Sequence, residues 1–211
     1  MKKNFSILML PALFIAISCG AGKDDKPKTD IGIMDAKELA ENATEAMDES
    51  AKRREERRKR GDTLAMPYAT LQGYLPELDG YTKRGGPRGS QMNMPGMGSW
   101  SQAEQEYESG DKSVDVTMMD YNGAMGAFTG ATALYSMGFS QEDDQRKSQS
   151  TDLGIKGVAA YETVYKQDQR AELVLVVGDR FLIQMNADGT NDVEVLKKAA
   201  RSMKLGELAA K

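Results

Sequence analysis

Two apolar runs, Ala171–Val177 and Phe181–Met185, stand on either side of Gly178-Asp179-Arg180 and leave the chain few folds to choose from. Runs this rich in valine, leucine and isoleucine, interrupted by so short a polar stretch, read as two antiparallel strands joined by a tight hairpin. Gly178 stands where a type II′ turn needs a positive φ. A hairpin with one strongly apolar face has to lie in a larger sheet and be covered, so the rest of the sequence is read for more strands and for helices that could cover them.

Both are present. Val158–Lys166 is strand-like, as are Trp100–Tyr107 and Ser113–Tyr121, with a turn at Gly110-Asp111 between the latter two. Alternation puts Val114, Val116 and Met118 on one face. Ala127, Phe128, Ala131, Leu134 and Tyr135 recur at helical spacing within Ala124–Gly138. Asn191 followed by Glu194 predicts a capping box opening a last helix, whose apolar face carries Val195, Leu196, Ala199, Ala200 and Met203. Leu71, Tyr74, Leu75 and Leu78 share a helical face that Pro76 limits. Gly80–Gly98, rich in glycine, reads as one long loop of the kind that often binds or closes over a ligand. Gln141–Ser150 is polar and reads as exposed chain. The expected fold is α+β: an antiparallel sheet of about five or six strands with helices packed on one face, spanning residues 63–211.

Composition removes several chemistries. The 211 residues contain no histidine, which excludes imidazole metal sites, Ser-His and Cys-His nucleophile pairs and the usual switch near neutral pH. A single cysteine excludes an intrachain disulfide and a cysteine zinc cluster. No Gly-x-Ser-x-Gly elbow, Walker loop or dinucleotide fingerprint occurs, and Pro87 interrupts the only glycine cluster that could cradle a phosphate, Gly85–Gly89. The chain is therefore expected not to be an enzyme and to need no cofactor.

The N-terminus, Met1-Lys2-Lys3-Asn4 followed by an apolar run from Phe5 to Ile17 and then Ser18-Cys19-Gly20, has the build of a secretory signal over residues 1–18. Ala16-Ile17-Ser18-Cys19 resembles the lipobox of bacterial lipoproteins, with Ala16 where that family most often has leucine. The resemblance implies that the Cys19 thiol receives a diacylglyceryl group, that the chain is cut before it, and that the new amino terminus is acylated. Several acyl chains on one residue anchor a protein firmly, where one alone holds only marginally. Gly20 in place of Asp implies the outer membrane, and Lys23-Asp24-Asp25 resembles the short export tag of some Bacteroidota surface lipoproteins. The expected location is thus the outer membrane, lipid-anchored, at the periplasmic face or the cell surface.

Residues 19–34 have the composition of a flexible tether, and residues 35–62 that of a charged helix with a thin stripe of Leu39, Ala40, Ala43, Ala46, Met47 and Ala51. So little apolar surface predicts a helix packed loosely or standing off the domain. It ends in Lys52–Arg60, seven basic and two acidic residues, with Gly61 placed to cap it. Arg53, Arg54, Arg57, Arg58, Lys59 and Arg60 are candidate contacts for anionic lipid or an acidic protein partner, or simply a solvated helix end. A net charge of −4 and the lack of aromatics among the arginines argue against nucleic acid.

One further motif carries chemistry. Met92, Met94 and Met97, with Trp100 nearby, offer soft thioether ligands at a spacing that can surround Cu(I), as in the methionine-rich segments of periplasmic copper proteins that they resemble. Ordinary packing by a flexible side chain accounts for them equally. Asn186–Asp192 departs from the spacing of a calcium loop and is explained by a turn into a capped helix. In element order, residues 71–211 resemble an uncharacterised domain of small secreted bacterial proteins, distantly of the Mog1/PsbP type. The expected function is a lipid-anchored binding or interaction module; the alternative is a methionine-based copper carrier.

Overall fold

The computed structural model describes residue 48 and residues 50–94, 98–122, 128 and 140–211. These form one antiparallel sheet of nine strands: β1 (Thr82–Lys83), β2 (Arg88–Met94), β3 (Gly98–Ser109), β4 (Lys112–Asp120), β5 (Gln141–Glu142), β6 (Arg146–Thr151), β7 (Val158–Tyr165), β8 (Arg170–Val177) and β9 (Phe181–Asp188). The order across the sheet is β1-β3-β4-β9-β8-β7-β6-β5, with β2 also paired to β3. Four described helical segments accompany it: α1 (residues 50–59), α2 (Tyr68–Gln72), α3 (Glu194–Ser202) and α4 (Leu205–Ala209).

The α+β class and the antiparallel sheet match the sequence reading, but the sheet has nine strands and not five or six. The extra ones come from two stretches read as loops. Gly80–Gly98 supplies β1 and β2, and Gln141–Ser150 supplies β5 and most of β6. All seven residues of β2 are exposed, because it lies at the sheet edge along β3. A strand that buries nothing needs no apolar alternation, so periodicity cannot reveal it.

The central strands follow their pattern. Val114, Val116 and Met118 of β4 are buried on one face, in register with Ala103 and Tyr107 of β3 and with Ile183, Met185 and Ala187 of β9. Leu173, Leu175 and Val177 continue this core across β8. Leu196, Ala199 and Ala200 of α3 and Leu205 and Leu208 of α4 join the same cluster, α3 contacting β8 and β9 and α4 contacting β7 and β8. α2 contacts β2 and β3.

Three local expectations change. The β8–β9 loop has three residues between the paired Val177 and Phe181, one more than a type II′ turn, although Gly178 does take a positive φ of 59°. At α3 the N-cap is Val193, with no side-chain cap, so the Asn191 capping box is not formed; the Glu194 N–H is taken instead by the Asp192 carboxylate at 3.1 Å. α2 stops at Gln72, and Leu78 reaches the core from irregular chain; there Pro76 O accepts a hydrogen bond from the buried Tyr107 hydroxyl. The helix expected over Ala124–Gly138 lies outside the described residues, except for the helical, buried Phe128.

Candidate functional site

α1 ends in a Schellman turn. Gly61 takes φ 77°, its N–H bonds Arg58 O at 3.0 Å, and the Asp62 N–H bonds Arg57 O at 2.9 Å. This turn brings the side chains of Arg57 and Asp62 to one acceptor and donor, Asn122, just beyond β4. The Asn122 carbonyl accepts from Arg57 Nε at 2.9 Å, and its amide donates to Asp62 Oδ1 at 3.0 Å and to Leu64 O at 3.0 Å.

Around Asn122 lies a buried network of charge. Arg57, only 2% exposed, makes a two-pronged pair with Asp179 in the β8–β9 loop, Nη1 to Oδ1 at 3.1 Å and Nη2 to Oδ2 at 2.8 Å. Arg53 Nε reaches the same carboxylate at 3.3 Å. Next along the loop, Arg180 forks onto the fully buried Asp120, Nε to Oδ1 at 2.9 Å and Nη2 to Oδ2 at 2.8 Å, and its Nη1 takes Asp62 at 2.9 Å. Asp120 also accepts the N–H of Met66 at 2.7 Å and of Asn122 at 2.9 Å. Such two-pronged charged bonds are among the strongest a protein makes.

The electrostatics follow from the pairing. Burial alone would raise the Asp179 pKa, but the hydrogen bonds from Arg57 and the charges of Arg57 and Arg53 hold it below the ordinary value. Burial would lower that of Arg180, and its bonds to Asp120 and the charge of Asp62 raise it instead. Three arginines balance three aspartates, and the buried carboxylates are saturated with donors. This arrangement suits a cross-link between α1, the 62–66 segment and the sheet better than proton transfer.

The network divides the basic segment. Arg57 faces inward and is not available to a partner, and Arg53 is committed to Asp179. The end of α1 is therefore pinned to the domain, in contrast to the loose helix expected from its thin apolar stripe. Arg58, Lys59 and Arg60 are exposed and Arg54 is half-buried. Two clefts open beside them. One, of about 380 Å³, is lined by Ala51, Arg54, Glu55, Arg58, Asp62, Thr63 and Asn122. The other, of about 470 Å³, is bordered by Arg60, Asp62, Leu64, Met66, Pro67 and Lys211.

The methionine motif lies elsewhere. Met92 and Met94 are exposed on one face of the edge strand β2, Met92 directly opposite Trp100 on β3. Met97 and Cys19 lie outside the described residues. Among the described residues no three acidic or cysteine side chains come together as a metal site, and no helix is long and apolar enough to cross a membrane.

The sequence reading missed Asp120, Asn122, Asp179 and Arg180. One signal was available: Asp120 continues the Val114, Val116, Met118 alternation, and a carboxylate at a core position requires a buried partner. No protein-family model, curated protein or solved structure matches this chain.

Proposed function

We propose that the protein is a bacterial outer-membrane lipoprotein, anchored through Cys19, whose α+β domain with helices over one sheet face is a binding or interaction module and not an enzyme. The observation that supports this most is how the basic segment is divided. Arg53 and Arg57 fix the end of α1 to the hairpin, which leaves Lys52, Arg54, Arg58, Lys59 and Arg60 displayed from a rigid platform beside two clefts. Cations held in place lose less freedom on meeting an anion than the same cations on a free helix. The partner is therefore anionic, and the tether delivers it where the anchor lies.

Mass spectrometry of the native protein tests the anchor. The expected species begins at Cys19, with a diacylglyceryl thioether and an acylated amino terminus. An unmodified Cys19 with residues 1–18 still attached would overturn the reading.

A further inference from the structure

We propose that the domain docks on an anionic lipid surface through a built patch, in which Leu64 enters the acyl boundary and Arg54, Arg58 and Arg60 take the lipid phosphates. The proposal rests on the envelope reading above and adds which face meets the bilayer.

Leu64 is 59% exposed, the most exposed large apolar side chain among the described residues. The backbone that presents it is fixed at Leu64 and at the two residues that follow. Leu64 O is held by Asn122, the Ala65 N–H by Ser99 Oγ, and the Met66 N–H by Asp120. A leucine on chain pinned at three successive residues cannot fold back to bury itself. It is a fixed apolar point, and a fixed point costs little order on insertion.

Cations ring it. The smaller cleft, next to Thr63, carries Arg54 and Arg58; the larger one holds Leu64 itself with Arg60 and Lys211. Arg54 is half-buried on the lining of the smaller cleft, and among the described residues its buried Nε has no hydrogen-bond acceptor. Arg58 meets Glu55 only at 3.8 Å between exposed side chains, a contact worth little in water. The acidic side chains lining the two clefts are Glu55 and Asp62, and Asp62 is already taken by Arg180 and Asn122. Positive charge around one exposed leucine matches a bilayer of anionic head groups over an apolar interior. The thirty residues between Cys19 and Ser50 would hold the patch near the membrane, so that modest intrinsic affinity suffices.

The test uses the polypeptide of residues 20–211, which keeps the whole compact unit Asp35–Lys211 and lacks the anchor, so it is independent of the state of Cys19. Sedimentation with vesicles of phosphatidylcholine, with and without phosphatidylglycerol, is expected to show attachment only when the anionic lipid is present, and release at high salt. Replacing Arg54, Arg58 and Arg60 together by glutamine should lower partitioning by about fivefold per charge, roughly a hundredfold in all. Leu64→Ser should lower it by about tenfold. The same number of charges removed at Arg84, Arg88 and Lys112, away from the patch, should have little effect. Equal attachment to neutral vesicles, an equal loss in that control variant, or binding of inorganic phosphate without vesicle attachment would each overturn the proposal.

Discussion

Asp179 shows how much one side chain in this molecule can carry. It lies in the turn between the two most apolar strands, and it takes three hydrogen bonds from Arg57 and Arg53. Asp179→Asn keeps the shape and removes the charge, which leaves Arg57 buried without its counterion. Breaking a buried pair in this way costs about 3–5 kcal/mol. For a domain of this size that lowers the thermal midpoint by roughly 10 °C near neutral pH. The pH dependence separates charge from packing. Because the folded-state pKa of Asp179 is depressed, its contribution is complete above the ordinary value of 3.8 and is lost as pH falls below that value through the folded one. The gap between the native chain and the asparagine variant should therefore close in acid, and thermal melts at a series of pH values will show it. A gap that stays constant down to the acid limit would assign the effect to packing. None of this was legible from residue types alone, since the sequence places Asp179 in a turn, where aspartate is ordinary, and its partners are more than a hundred residues away.

At the scale of elements, legibility follows burial. β4, β8 and β9 each bury one face against the core, and their alternation located them to within a few residues. β2 and β5 bury neither face, and nothing in Arg88–Met94 or Gln141–Glu142 distinguishes an exposed edge strand from a loop. Besides its ladder to β3, β2 is fitted closely against α2. A β-carbon added at Gly89 would come within 2.4 Å of Tyr68 Cδ2, so α2 rests against the bare backbone of the edge strand. Gly89→Ala should push the Tyr68 ring aside and destabilise the protein by about 1–3 kcal/mol, the usual range for overpacking. Combining it with Tyr68→Ala removes the collision, so the double variant should lose less than the two single losses added together. Denaturant midpoints of the four proteins measure this coupling directly, and strict additivity would show that the two residues do not meet.

Across the whole molecule, the sequence reading divides a charged helix over residues 35–62 from a domain over residues 63–211. The ion pairs run across that boundary. Arg53, Arg57 and Asp62 lie before it, and their partners Asp179, Arg180 and Asn122 lie far beyond it, in the β8–β9 loop and just after β4. These pairs were not legible in the sequence for a physical reason: helical periodicity reports apolar contact, and the end of α1 is held by charge, to which a periodicity test is blind. A chain beginning at Thr63 would keep the apolar core but lose every cation paired with Asp179 and one of the two carboxylates paired with Arg180. Water would then reach the exposed side of the network and soften the loss, so the expected cost is nearer 3 kcal/mol than 5. That is a large share of the roughly 5–15 kcal/mol by which domains are stable. Urea unfolding of chains beginning at Asp35 and at Thr63 should show a clearly lower midpoint for the shorter one, while coincident midpoints would mean that α1 is an appendage. If α1 is instead part of the folded unit, the position of its exposed cations relative to the 62–66 segment that carries Leu64 is set by the same ion pairs that hold the helix.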